Sequence, residues 1–301
     1  MPPDPVLTLA DLERWSRPSP SLAVLGHPIG HSLSPPMHNA ALAALARNEA
    51  RFADWRYFRF EVHPDDLPRA LTLLHAKKFR GVNLTVPHKI IAFSRVAHVD
   101  EAAVPVGAVN TLLWREDGWE GFNTDGYGLA TAIRETLGHD LAGAPIVLLG
   151  AGGAARGAAV EALARTCAGL WIANRTPKNL EALLAALQPV MGTIPVRKWE
   201  AGAGAKDGPP AGALVINATS SGLRAEDPAP VSLAAMPRPA GVFDMIYNPP
   251  RTPLLLQAEA MGIPAANGLS MLVHQGAKSL EIWTGVPAAR TAPAMMAALR
   301  P

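Results

Sequence analysis

Pro145-Ile-Val-Leu-Leu-Gly-Ala-Gly-Gly-Ala-Ala155 reads as a strand, a glycine turn and the opening of a helix. The apolar run suits a strand buried on both faces, and the small residues after it let a helix pack closely. In that context the glycine pattern is a dinucleotide-binding turn. Gly150 permits the bend, Gly152 lets the backbone approach a pyrophosphate, and Ala155 takes the third small position. The amides of Ala151, Gly153 and Ala154 then face phosphate oxygens at a helix N-terminus. The plainer alternative is a strand-turn-helix whose glycines serve packing alone.

Downstream, apolar runs over 170–173, 214–217, 241–245 and 263–266 predict further strands. The second strand of the series ends at Asn174-Arg175-Thr176, where an NAD enzyme carries an acid for the ribose 2′-hydroxyl. No acid stands there. Arg175, Thr176 and Lys178 offer a cradle for a 2′-phosphate, which implies NADP; a solvated arginine after a strand is the alternative. The Gly/Ala/Pro-rich stretch 201–213 reads as a surface loop. Upstream, Asn123-Thr-Asp-Gly126 launches an amphipathic helix with Leu129, Ile133 and Leu137 on one face.

The first 120 or so residues also alternate strand and helix, which makes a second α/β unit. Strands are expected over 22–25, 57–62, 81–86 and 109–114, and helices over 35–47 and 67–76. In Gly81-Val-Asn-Leu-Thr-Val-Pro-His-Lys89, Val82, Leu84 and Val86 share one face, so Asn83 and Thr85 take the other. Pro87 then starts a helix that places Lys89 where strand gives way to helix. A lysine there can bind a hydroxyl and exchange a proton with it. Helices over 269–284 and 289–299 return after the second series, and their docking on the first unit makes that unit discontinuous.

The other polar turns each have two readings. Ser34, before Pro35, serves equally as a helix N-cap; Ser32 has no such role, and the pair suits a small carboxylate or polyol. Asn110, on an apolar strand, is a satisfied amide or a ligand group. Asp125 is a turn and capping residue or, beside Lys89, a carboxylate that orients an ammonium. Tyr247 and Gln275 are further polar candidates.

Composition narrows the classes. The 301 residues are 49% apolar and 17% charged, with a net charge of +2 and no basic run, which argues against nucleic-acid binding. Cys167 is the only cysteine. That rules out an intrachain disulfide and a thiol-based zinc site, and it fits a reducing cytoplasm. His27, His31 and His38 lack acidic partners in the sequence, so no metal is expected. No stretch is long and apolar enough to cross a bilayer. Residues 1–20, Pro-rich with Asp4, Asp11 and Glu13, are expected to be a short frayed extension, not a signal peptide.

Taken in order, these motifs resemble the shikimate dehydrogenase family over 22–285. Gly-His-Pro-Ile-Gly-His-Ser-Leu-Ser-Pro, Gly-Val-Asn-Leu-Thr-Val-Pro-His-Lys, Gly-Ala-Val-Asn-Thr, Gly-Phe-Asn-Thr-Asp-Gly and Gly-Ala-Gly-Gly-Ala carry the likeness. Asn-Arg-Thr, Asn-Ala-Thr-Ser-Ser-Gly, Asp-Met-Ile-Tyr-Asn-Pro and Asn-Gly-Leu-Ser-Met-Leu-Val-His-Gln extend it. The resemblance implies a two-domain α/β protein with a cleft between its parts. Residues 1–124 and 268–301 would form the substrate and catalytic domain, and 125–267 a Rossmann-type NADP-binding domain. It also implies NADPH-dependent reduction of 3-dehydroshikimate to shikimate, in aromatic amino acid biosynthesis, by a cytoplasmic monomer or homodimer.

By the same resemblance Ser32 and Ser34 bind the substrate carboxylate, with Tyr247 close by. Asn83, Thr85, Lys89, Asn110, Asp125 and Gln275 line the ring hydroxyls, and Lys89 with Asp125 is the catalytic pair. Gly150, Gly152, Gly153 and Ala154 match the phosphate loop, and Asn174, Arg175 and Thr176 the 2′-phosphate site. Thr219, Met245 and Gly268 lie along the nicotinamide. Two positions depart from the pattern: Pro177-Lys178-Asn179 where the family often has a second basic residue, and Ser270 where glycine is common. The nearest rivals are a broad quinate/shikimate dehydrogenase, an aminoshikimate enzyme and a non-catalytic ligand sensor.

Overall fold

Apolar runs that end on glycine, asparagine or aspartate lay down two separate sheets, and the turns after them carry the polar residues named above. The computed structural model describes residues 5–200, 208–224 and 226–300. The loop expected over 201–213 falls mostly outside them, as do residues 1–4 of the N-terminal extension. The chain divides into two compact units, Met1–Thr124 with Val273–Pro301, and Asp125–Leu272.

The first unit runs β1 (Val6–Leu7), α1 (Leu9–Glu13), β2 (Ser21–Gly26), α2 (Ser34–Ala46), β3 (Arg56–Glu61) and α3 (Leu67–Ala76). It continues with β4 (Gly81–Leu84), α4 (His88–Phe93), β5 (His98–Val99), β6 (Thr111–Arg115) and β7 (Gly118–Phe122). The sheet order is β1-β3-β2-β4-β6-β7-β5. β2, buried along its whole length, pairs parallel with β3 and β4. β6 runs antiparallel to both β4 and β7, so the sheet is mixed. That hairpin is absent from the sequence expectation, because Glu116-Asp117-Gly118 reads as loop. Gly118 takes φ +142° there, and a side chain on it would meet Ala97.

From β1 onward the N-terminal stretch is folded, which corrects the expectation that 1–20 frays. Thr8 and Asp11 form a capping box on α1, with Thr8 N–H donating to Asp11 at 2.9 Å. Leu12 is fully buried, and Trp15 packs edge-on against Phe58 at 4.8 Å. Val6 and Leu7 pair with β3. The prolines and acids mask this in the sequence; the signal that matters is Thr8-x-x-Asp11 followed by Leu12.

The second unit runs α5 (Asp125–Leu137), β8 (Pro145–Leu149), α6 (Gly153–Ala164), β9 (Gly169–Ala173), α7 (Pro177–Leu187) and β10 (Val196–Lys198). Then follow β11 (Leu214–Asn217), β12 (Gly241–Asp244), α8 (Pro253–Ala260) and β13 (Ala265–Asn267). All pairs are parallel, in the order β10-β9-β8-β11-β12-β13. Chain order reverses between β8 and β11, the switch point where open α/β sheets bind ligands at strand carboxyl ends. The chain closes with α9 (Leu269–Thr284) and α10 (Ala288–Ala297). In the first unit, Trp283 of α9 donates its indole N–H to Leu112 at 2.9 Å and occupies the space a side chain on Gly81 would need.

Candidate active site

In the first unit the polar turns converge. β4 stops at Leu84, two residues short of the expected end, because Val86 and Pro87 turn into α4 with Pro87 as its N-cap. Thr85 N–H still bonds Leu25 of β2 at 3.0 Å, and Gly26 has no side chain because Thr85 Cγ2 fills that space. Lys89 sits half-buried in the first turn of α4, and its carbonyl accepts Val109 N–H at 3.0 Å. Asn110 N–H bonds Phe122, and its carbonyl accepts Leu84 N–H at 2.9 Å. Backbone bonds alone therefore place Thr85, Lys89 and Asn110 on adjoining turns.

Beneath them lies a buried polar network. Asn83, 6% exposed, accepts the Tyr57 hydroxyl at 2.7 Å. Its amide donates towards the Asn110 carbonyl, Thr111 Oγ1 and Ser279 Oγ at 3.0, 3.1 and 3.0 Å. Asn110 Oδ1 accepts Thr124 N–H at 2.9 Å, and its Nδ2 reaches Gln275 Oε1 at 3.4 Å. Asn83 is thus hydrogen-bonded within the fold itself. Tyr57, Thr111, Thr124 and Ser279 were absent from the predicted set. Thr111 and Thr124 both lie within the sequence motifs, and Thr111 stands directly across from Asn83 on β6.

The serine loop reverses the sequence expectation. Leu33 holds the N-cap position of α2 without a side-chain bond, and Ser34 is the first helical residue. Ser32 Oγ instead accepts Ser34 N–H at 3.3 Å, so Ser32 has the local backbone role. Ser34 is buried. β3 pins the loop: Arg59 donates to the Gly30 carbonyl at 2.7 Å, and Glu61 accepts Ile29 N–H at 3.4 Å.

The second unit carries the dinucleotide turn. Gly150 takes φ +115° with the Ala218 carbonyl 3.0 Å from its missing side chain, so no other residue fits. Gly152 is the N-cap of α6 with no side-chain bond, and open space surrounds Gly152 and Gly153. A bare helix end beside that space fits a pyrophosphate. Asn174 donates to the Thr176 carbonyl at 2.9 Å and shapes the turn after β9. Arg175, Thr176 and Lys178 are exposed; neither cation takes part in an ion pair among the described residues. That donor set fits a 2′-phosphate.

Thr219, Met245 and Gly268 form one cluster at the carboxyl ends of β11, β12 and β13. Thr219 donates through N and Oγ1 to Asn217 Oδ1 at 3.0 and 2.7 Å. Met245 N–H bonds the Asn217 carbonyl at 3.0 Å, and Gly268 lies directly against Met245. Ser270, the departure from the family pattern, donates its hydroxyl to Glu135 of α5 at 2.7 Å. Asp125 is the first residue of α5, and Tyr247 is half-buried with its phenol pKa pushed up by burial. No three His, Cys, Asp or Glu side chains among the described residues are grouped to hold a metal, and no helix among them is long and apolar enough to cross a membrane.

A parallel sheet with a glycine phosphate turn, joined in one chain to a mixed sheet bearing a lysine among amides and hydroxyls, defines a dinucleotide-dependent oxidoreductase. Residues 24–112 match the shikimate dehydrogenase substrate binding domain, and residues 268–300 the shikimate 5′-dehydrogenase C-terminal domain. A shikimate dehydrogenase (NADP(+)) of Citrifermentans bemidjiense is 41% identical over 87% of this chain and 89% of its own. One from Moorella thermoacetica is 42% identical over 88% of each. The Thermus thermophilus shikimate 5-dehydrogenase, solved in complex with NADP(H) and shikimate, superposes with a TM-score of 0.78 at 35% identity. That superposition covers 93% of this chain and 100% of that one. The chain belongs to the shikimate dehydrogenase family.

Proposed function

We propose that this protein reduces 3-dehydroshikimate to shikimate with NADPH, reversibly, in the route to aromatic amino acids. Family membership supports the activity, and the convergence of Thr85, Lys89 and Asn110 on adjoining turns, with Gln275 of α9 against Asn110, supports the site. NADPH, when bound, would supply the hydride for the ketone. Lys89 gives a proton to the carbonyl oxygen as negative charge develops there, and its ammonium stabilises that charge. Asp125 holds the same hydroxyl and orients the ammonium. Ser32, Ser34 and Tyr247 take the carboxylate, while Thr85, Asn110 and Gln275 hold the ring hydroxyls above the support that Asn83 provides. Gly150, Ala151, Gly152, Gly153 and Ala154 receive the pyrophosphate, and Arg175, Thr176 and Lys178 the 2′-phosphate.

We place the reaction in the cytoplasm, with small molecules as the only partners and a monomer or homodimer as the working form. NADPH loss with purified protein and 3-dehydroshikimate tests the reading, with 3-dehydroquinate and NADH as parallel controls. Selective turnover of dehydroshikimate with NADPH is the expected result. Comparable rates with dehydroquinate or NADH overturn it in favour of a broad-specificity enzyme.

A further inference from the structure

Asp244, the last residue of β12, is fully buried. Its Oδ1 accepts Asn217 Nδ2–H and Ile246 N–H, each at 3.0 Å, and its Oδ2 accepts the Thr252 hydroxyl at 2.6 Å. An ionised carboxylate satisfies all three donors at once, since it is acceptor-only. Every one of those partners is neutral, and among the described residues no cation pairs with it. A buried anion without a counter-ion projects its field through weakly screening surroundings. The predicted nicotinamide edge adjoins it: Met245 is the next residue, and Thr219 hangs from the same Asn217 amide that Asp244 holds. Gly268 lies against Met245.

We propose that the Asp244 carboxylate biases this edge of the cofactor site toward the positively charged, oxidised nicotinamide. The inference rests on the dehydrogenase reading above, in which Thr219, Met245 and Gly268 lie along the ring. NADP+ and NADPH share every other group, so only the ring separates them. An anion beside it stabilises the oxidised form and favours hydride loss from the reduced one. Burial raises the Asp244 pKa, and the bonds from Thr252, Ile246 and Asn217 act against that rise.

The test is calorimetric titration of the full chain with NADP+, NADPH and 2′,5′-ADP, in the wild type and in Asp244→Asn. The variant is expected to raise the ratio of Kd for NADP+ to Kd for NADPH by on the order of tenfold. Its affinity for 2′,5′-ADP, which lacks the ring, is expected to stay at the wild-type value. A purely structural role moves both dinucleotides together, and an unchanged ratio overturns the proposal. Failure of the wild type to bind either dinucleotide overturns the dehydrogenase reading instead. Asp244→Ser, a smaller neutral group, is the second variant. If neither variant folds, Asp244 is a structural residue and the proposal is abandoned.

Discussion

The His38 imidazole lies flat on the Tyr57 ring, with centroids 4.1 Å apart and planes 1° from parallel. Neither ring nitrogen of His38 has a hydrogen-bond partner among the described residues, and Gly276 leaves room for the ring by having no side chain. Burial lowers the His38 pKa from 6.5 to about 3. Below about pH 6.5 the unfolded chain takes up a proton that the folded chain refuses. Stability from this group is therefore complete above that pH and is lost as pH falls toward 3, at up to ~1.4 kcal/mol per pH unit. His38→Phe keeps the stack and removes the proton. Urea midpoints between pH 6 and 4 should fall less steeply in the variant, and parallel slopes would refute the assignment.

Lys89→Ala should cut turnover by about 10²–10⁴-fold with a smaller change in substrate KM, because the lost group acts mainly on the developing alkoxide. Steady-state kinetics in both directions measure this. Near-wild-type turnover would remove Lys89 from the chemistry.

Asn83→Ala should act on stability before catalysis. It strips partners from the Tyr57 hydroxyl, Thr111 and Ser279, all of them buried. Thr111 and Ser279 keep other partners, whereas the Tyr57 hydroxyl is stranded, at a cost of roughly 1–3 kcal/mol to the first unit. Chemical denaturation followed by tryptophan fluorescence reads the loss. An unaltered midpoint would mean that the network is replaceable.

Arg175→Ala should raise KM for NADPH by about tenfold or more while leaving KM for NADH nearly unchanged, since only a 2′-phosphate needs the guanidinium. Parallel kinetics with the two cofactors decide it. Equal changes would make Arg175 a surface arginine, and Lys178→Ala then becomes the informative variant.

What could be read in advance follows physical range. Strand alternation puts Asn83 and Thr85 on one face, and the glycine turn after β8 announces its own helix; both are local signals. The partnership of Asn83 with Ser279 spans 196 residues, and no periodicity reports it. Ser32 and Ser34 exchange their expected roles because capping depends on where the backbone turns, which two serines in a proline-flanked loop leave undetermined. β5, β7 and β10 escape notice for being short, glycine-bearing or polar. The folded stretch from β1 to Trp15 is hidden because its burial comes from Phe58 and Phe79, far along the chain.

Trp283 fills the hollow over Gly81, and residues from Val273 onward belong with those before Thr124. On the ribosome this imposes an order of events. The β1–β7 sheet emerges early with α1 to α4, yet stays without α10 and the C-terminal part of α9 until the last tenth or so of the chain is made. The contiguous segment Asp125–Leu272 has everything it needs sooner. The dinucleotide unit is therefore the natural first folder, and a polypeptide halted near residue 270 would expose the apolar trough meant for Trp283 to chaperones and proteases.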